Sequence, residues 1–125
     1  MIKLLQCVRK DPALSDVEFR RRWKEYGDKL GELADELRAV RVVLGTTLAI
    51  ELNRRLSEER GTLPAYDGVA EISWERGLGI TEAAEQDAMQ ERIVKLRRFQ
   101  ESFLDLTTST FFVVSEEIVQ DRAGS

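Results

Sequence analysis

The stretch SDVEFRRRWKEYGDKLGELADELR, residues 15–38, decides the fold of this chain. Its apolar residues recur at alternating spacings of four and three, which is the period of one face of an α-helix. Ser15 and Glu18 form a capping-box pattern that marks where the helix begins. Gly27 lies in the middle of the apolar face, where a glycine costs about 1 kcal/mol relative to alanine. The apolar residues of this face are Phe19, Trp23, Tyr26, Leu30, Leu33 and Leu37.

Four strands are predicted around this helix. Each combines β-branched, aromatic or alternating apolar residues and is bounded by turn residues such as Pro, Gly and Asp. In the third strand, Val69, Glu71 and Ser73 are expected on one face and Ala70, Ile72 and Trp74 on the other. The predicted strands are residues 2–9, 39–50, 68–74 and 110–119.

A second helix and a long connection complete the predicted pattern. The helix is expected to begin at a cap on Thr81 and to run to about Phe103. The connection at 51–65 is expected to hold one helical turn at 52–60, and connections of this length often border a site. The order β-α-β-β-α-β predicts one domain over residues 1–125 with the ferredoxin-like arrangement. This arrangement is an antiparallel four-stranded sheet with both helices on one face.

The face of the sheet that the helices leave bare predicts a homodimer. Phe111, Phe112, Val113 and Val114 form a continuous apolar run in the last strand, and such a run predicts burial on both faces. Helices on one side cannot bury both faces. A second copy of the chain is the economical cover for the other face.

Composition excludes several classes of function. The net charge is −4 with both signs interspersed, which argues against nucleic acid as the main partner because phosphate binding needs a concentrated basic surface. No apolar run is long enough to span a membrane. One cysteine allows no internal disulfide and, with a charged N-terminus that does not resemble a secretory signal, favours a cytoplasmic location. The lack of histidine excludes histidine-dependent triads and histidine metal sites, and no cofactor is expected.

Three stretches resemble the EthD-like family of dimeric α+β barrel proteins. FRRRWKEYGDKLG resembles the first-helix motif of that family, YDGVAEISW its third-strand motif, and FLDLTTSTFFVVSEE its closing turn and last strand. The resemblance implies a homodimer with two sheets face to face and a cavity between sheet and helices in each subunit. It also implies small apolar or aromatic ligands, with monooxygenase-like or decarboxylase- and dehydratase-like chemistry in some members.

Gly27 departs from the family motif. In the family, a histidine follows the motif tryptophan by four residues, and Trp23 therefore places that histidine at Gly27. An imidazole there would be a natural general acid or base, since its pKa lies near neutrality. The glycine either opens room for a bulkier ligand or for close backbone approach, or it marks the loss of the old chemistry, or it kinks a surface-facing turn.

Tyr26, Glu71 and Tyr66 are the candidate catalytic residues. Tyr26 is either a hydrogen-bond donor to a ligand or a core tyrosine with its hydroxyl at the rim. Glu71 is either a buried acid or base with a raised pKa, or a structural carboxylate that faces the dimer partner or an arginine such as Arg41. Tyr66 and Asp67 are expected at the mouth of the pocket, although Asp67 before a glycine is also an ordinary turn signal.

Trp23, Gly27, Asp67, Phe111 and Phe112 are the candidate ligand-binding residues. Trp23 is either a stacking platform or core packing, and Phe111 and Phe112 are expected to place one ring on each face of the sheet. The leading hypothesis is a dimer that binds a small hydrophobic or aromatic metabolite, with or without cofactor-independent catalysis. The alternative is a non-catalytic binding or accessory protein, and haem binding through Tyr, Cys or a carboxylate is a third.

Overall fold

A computed structural model of the protein describes residues 1–75 and 87–123. Strands and helices alternate as the sequence predicts, with one additional helix between the second and third strands. A short 3₁₀ turn at Leu106–Thr108 precedes the last strand. The elements are β1 (Ile2–Val8), α1 (Asp16–Glu36), β2 (Arg41–Thr46), α2 (Glu51–Arg60), β3 (Gly68–Trp74), α3 (Asp87–Glu101) and β4 (Thr110–Ser115).

The sheet confirms the predicted ferredoxin-like arrangement. Its strand order is β2-β3-β1-β4, and every neighbouring pair is antiparallel. Gln6 lies opposite Ala70 on one side and Phe111 on the other, so these three side chains share a face of the sheet. A hydrogen bond between Gln6 and Tyr26 of α1 shows that this is the face toward the helices.

Helix α1 begins where its capping residue predicts. The Ser15 hydroxyl accepts a hydrogen bond from the Glu18 amide at 3.1 Å and so satisfies one of the free donors of the first turn. The buried side chains then follow the helical period down one face and cover the middle of the sheet. They are Phe19, Trp23, Tyr26, Leu30 and Ala34.

The connection after β2 is more ordered than predicted. Instead of one helical turn, α2 is a ten-residue helix, Glu51–Arg60, that ends at Gly61 in a left-handed conformation. The predicted start of the second long helix, at Thr81, lies outside the described residues, and the described part of α3 ends at Glu101 rather than at Phe103. In the described residues, no helix is long and apolar enough to cross a bilayer.

Strands β2 and β4 are shorter than the sequence predicts. Strand β2 pairs with β3 up to Thr46 opposite Gly68, and one further backbone hydrogen bond, from the Thr47 amide to the Asp67 carbonyl, follows before α2 begins. Strand β4 ends at Ser115 because this residue lies opposite Ile2, the first residue of β1, and the 117–119 segment has no strand to pair with there.

The predicted burial of β4 on both faces is wrong for the single chain. Phe111, Phe112 and Val113 are 40%, 44% and 64% exposed. The reason is that β4 is an edge strand, which the sequence pattern alone does not reveal. The prediction that Phe111 and Phe112 lie on opposite faces is confirmed, since Phe111 pairs with Gln6 and Phe112 with Leu5.

Candidate functional site

Aromatic rings fill the space between α1, α3 and the sheet. The Tyr26 ring stacks between Trp23 and Phe99, with centroid distances of 5.5 and 6.3 Å. Phe103 lies 5.9 Å from Tyr26 at a tilted angle, and Phe19 extends the stack beyond Trp23 at 5.8 Å. Offset and tilted aromatic pairs of this kind stabilise a core beyond simple area burial. Trp23 and Tyr26 are therefore core residues in this fold.

The Tyr26 hydroxyl is buried within a chain of polar groups. It donates to Gln6 Oε1 at 2.5 Å and accepts from Gln100 Nε2 at 2.7 Å. Burial raises the pKa of Tyr26 to about 12, against a smaller opposing effect of the two amide hydrogen bonds. The hydroxyl thus lies in the interior rather than at a rim, and both of its hydrogen-bonding functions are in use.

We expect Tyr26 to ionise about two pH units above an ordinary tyrosine. The test is a phenolate absorbance titration of Tyr66→Phe, in which Tyr26 is the remaining tyrosine. Because the pKa of Tyr26 is higher in the folded protein than in the unfolded chain, the neutral hydroxyl contributes its full share of the free energy of unfolding below pH 10. This contribution, on the order of 2 kcal/mol, is lost as the pH rises through 12. A Tyr26 titration midpoint near pH 10 in the folded protein would contradict the buried network.

Trp23 is held in place by two glycines of neighbouring strands. Its indole N–H donates to the Gly45 carbonyl at 3.2 Å. A Cβ at Gly68 would lie 2.8 Å from two ring carbons of Trp23, so the indole needs the missing side chain at that position. The Trp23 indole therefore packs between α1 and the adjoining ends of β2 and β3.

Gly27 lets α1 approach β2 closely. A Cβ at this position would overlap Leu44 Cδ1 and lie 3.3 Å from Leu44 Cγ. The space in which a side chain would begin is thus occupied by Leu44. Of the interpretations of Gly27, close backbone approach applies, but it is α1 that approaches β2 and not a ligand that approaches α1. Leu44 of β2 lies against Gly27, so this turn of α1 faces the sheet and not the surface that the third interpretation required.

Glu71 lies on the face of the sheet away from the helices. It is opposite Leu5 in β1 and Val43 in β2, whereas the helix-facing positions of β3 are Ala70, Ile72 and Trp74. Its carboxylate accepts a bond from Lys3 Nζ at 3.4 Å, and the same ammonium also pairs with Glu116. The structure therefore places Glu71 and Tyr26 on opposite sides of the sheet.

Tyr66 and Asp67 close the end of the sheet where β3 begins. The Arg9 guanidinium lies 4.3 Å from the centroid of the Tyr66 ring, and the Tyr66 hydroxyl accepts from Thr110 Oγ1 at 3.4 Å. The Asp67 carboxylate accepts from the Lys10 amide at 2.9 Å, a long-range bond that ties the start of β3 to the segment after β1. Neither residue contacts the Tyr26 network through a described hydrogen bond.

The helix-facing side of the sheet is unevenly covered. Its positions on β3 and at Gln6 and Val8 of β1 are nearly inaccessible, whereas Phe111 and Val113 on β4 expose a continuous apolar strip on the same side. Val113 is opposite Leu4, a residue that packs against the core. We name Phe111 and Val113, with the adjacent Leu4, the β4 wall.

Sequence reasoning missed four residues of this region. Gln6 and Gln100 bind the Tyr26 hydroxyl, Leu44 occupies the space at Gly27, and Val113 belongs to the β4 wall. Gln6 carried a usable signal, because a lone amide at an apolar position of a strand needs a buried partner. Among residues 1–75 and 87–123, no group of three carboxylate or thiol side chains is placed to bind a metal ion.

Comparison with known proteins supports the fold and leaves the family open. No family model and no curated protein matches the chain. Among solved structures, a dimeric ferredoxin-like protein of unknown function from Bacteroides fragilis matches with a TM-score of 0.60 at 5% identity, over 92% of this chain and 95% of that one. HapK from Hahella chejuensis matches with a TM-score of 0.58 at 11% identity, over 99% of this chain and 100% of that one.

A third solved structure brings a described activity. SnoaB from Streptomyces nogalater, a cofactor-independent oxygenase, matches with a TM-score of 0.51 at 13% identity, over 95% of this chain and 97% of that one. Identities this low show a shared fold and nothing finer. The chain is therefore a ferredoxin-like α+β protein, similar in fold to a protein described as dimeric and to a cofactor-independent oxygenase.

Proposed function

We propose that the protein is a homodimer that binds a small hydrophobic or aromatic molecule against the β4 wall. The observation that carries the proposal is the exposure of Phe111 and Val113, 40% and 64%, on the face of the sheet that otherwise forms the core. An apolar ligand that covered this wall would gain roughly 25 cal/mol for each Å² removed from water. A ring ligand would also find the Phe111 ring for stacking.

The homodimer in this proposal is supported by the opposite face of the sheet. That face presents three residues from each strand, with apolar side chains in the centre and Lys3, Arg41 and Glu71 among them. Phe112 is 44% exposed there in the single chain. A sheet face with apolar side chains at its centre and charged residues around them is typical of an interaction surface, and a second copy supplies a self-complementary cover.

Turnover by an EthD-like mechanism is the finer form of the proposal. Fold similarity to a cofactor-independent oxygenase supports oxygenase-like chemistry in which the substrate supplies the electrons, and decarboxylase- or dehydratase-like chemistry is the second form. In either case Tyr66, which is partly exposed, is a more accessible acid or base than Tyr26, whose hydroxyl is buried and bonded to two amides. Glu71 lies on the opposite face of the sheet from the β4 wall, on the side that the dimer would cover.

A binding or accessory role without catalysis is the second candidate function. The observation that favours it is the environment of the position where the resemblance expects a histidine: Gly27 supplies no side chain, and Leu44 occupies the space beside it. The inaccessible hydroxyl of Tyr26 points the same way. A binding protein needs the β4 wall and the dimer but no proton-transfer group.

The first experiment is native mass spectrometry of the purified protein, followed by titration with the apolar fluorophore anilinonaphthalene sulfonate. We expect a dimer, and we expect Val113→Asp to weaken fluorophore binding about tenfold or more because it places a carboxylate in the apolar wall. Val17→Asp is the matched control, since Val17 is 71% exposed on the first turn of α1. Equal binding by both variants would show that the wall is not the site.

A further inference from the structure

The segment between β2 and β3, residues 47–65, carries an apolar stripe that nothing in the described chain buries. We call this segment the arm. No side chain of its helix α2 is buried, and the large apolar side chains of the arm are between 42% and 77% exposed. A ten-residue helix is marginally stable in water on its own and normally depends on packing of its apolar face. The exposed residues are Leu48, Ile50, Leu52, Leu56 and Leu63.

The charges of α2 are satisfied within the helix. Arg54 pairs with Glu51 and, at 2.7 Å, with Glu58, and Arg55 pairs with Glu59 at 3.4 Å. With three acidic and three basic residues, α2 presents a neutral polar face rather than a basic one. A helix that lies on an anionic membrane carries excess Lys and Arg on that face, so a membrane is not the surface this arm fits.

The base of the arm is anchored beside the face of the sheet that lies away from the helices, which we call the bare face. The Arg9 guanidinium donates to the carbonyls of Pro64 and Ala65 at 2.8 and 3.0 Å and lies over the Tyr66 ring. Tyr66 in turn bonds to Thr110, which is paired with Cys7 on the bare face. The arm therefore begins at the edge of the bare face, the surface that is proposed to form the dimer interface.

We infer that the leucine stripe of the arm packs against a second copy of this chain and extends the dimer interface beyond the sheet. This inference rests on the proposed homodimer. A stable interface uses about 20–30 residues from each partner, whereas the bare face offers three residues from each of four strands. The arm supplies the missing apolar area at the same rim, and two-fold symmetry places two such arms in each dimer.

The test compares the double variant Leu52→Gln/Leu56→Gln with Val17→Gln by sedimentation equilibrium. Both changes remove exposed apolar side chains from helices, so folding is preserved, and far-UV circular dichroism checks this. We expect the double variant to raise the dimer dissociation constant about a hundredfold and the control to leave it unchanged. A second readout is the rate of trypsin cleavage after Arg54 and Arg55. We expect this cleavage to be slow at protein concentrations above the dimer dissociation constant and fast at concentrations below it.

The outcomes separate the arm from the dimer itself. If the wild type is a dimer and the double variant has the same dimer affinity and the same cleavage rate, the arm contact is overturned and the proposed homodimer stands. A wild-type monomer overturns both. Cosedimentation with vesicles of phosphatidylcholine and phosphatidylserine that is lost in the double variant, while dimer affinity is unchanged, overturns the inference in favour of a membrane surface.

Discussion

Leu5→Asp is expected to raise the dimer dissociation constant at least about a thousandfold. Leu5 lies at the centre of the bare face, opposite Glu71 on one side and Phe112 on the other. In a dimer the new carboxylate would be buried near the Glu71 carboxylate, and each buried unpaired charge costs several kcal/mol. Every 1.4 kcal/mol weakens association tenfold, and two such charges enter each symmetric interface.

Sedimentation equilibrium of Leu5→Asp against Val17→Asp measures this effect. In the single chain Leu5 is partly exposed, so the variant should fold as a monomer with unchanged far-UV circular dichroism. Val17→Asp adds the same charge on an exposed turn of α1 and should associate like the wild type. If Leu5→Asp remained a dimer of wild-type affinity, the bare face would not be the interface.

Gly27→His, which installs the histidine of the family that the sequence resembles, is expected to destabilise the protein by about 1–3 kcal/mol. The Cβ alone would overlap Leu44 Cδ1 and lie 3.3 Å from Leu44 Cγ, so more than the tip of this leucine, which packs against the core, has to shift to admit the imidazole. The helix propensity of histidine exceeds that of glycine by only a few tenths of a kcal/mol, which is too little to offset the overlap. Urea unfolding gives the free energy directly.

Gly31→His is the matched control for this substitution. Gly31 lies one turn further along α1, and a Cβ there would have no atom within 4 Å, so the same substitution should be neutral or slightly stabilising. In the Leu44→Ala background, Gly27→His should cost at least about 1 kcal/mol less than in the wild type. Equal costs at positions 27 and 31 would show that Leu44 does not fill the histidine space.

The outcome at Gly27 also bears on where a general acid or base could lie. If Gly27→His is tolerated only with Leu44→Ala, Leu44 fills the space in which the sequence resemblance would place an imidazole. A general acid or base would then have to come from another position, of which Tyr66 and Glu71 are the sequence candidates. Without turnover in the wild type, the binding role against the β4 wall is favoured.

The sequence by itself determined the four strands, the two long helices and their order, although it did not predict α2 as a full helix. The helical period of 15–38, its Ser15 cap and the alternation in β3 are local properties, since side-chain direction and capping depend on neighbours a few residues away. They were sufficient for the ferredoxin-like arrangement. They also separated Glu71 from Ala70, Ile72 and Trp74 before the structure showed which face the helices cover.

The tertiary structure alone decided what surrounds each candidate residue. Strand alternation leaves open which face meets the helices, so Glu71 could be placed away from Tyr26 only once Gln6 was seen to bond to that hydroxyl. The partners Gln6 and Gln100 are 20 and 74 residues away from Tyr26 in the chain. Likewise, Gly27 is occupied by Leu44 of another element. Such contacts follow from strand order and register, which bring together residues that no local pattern relates.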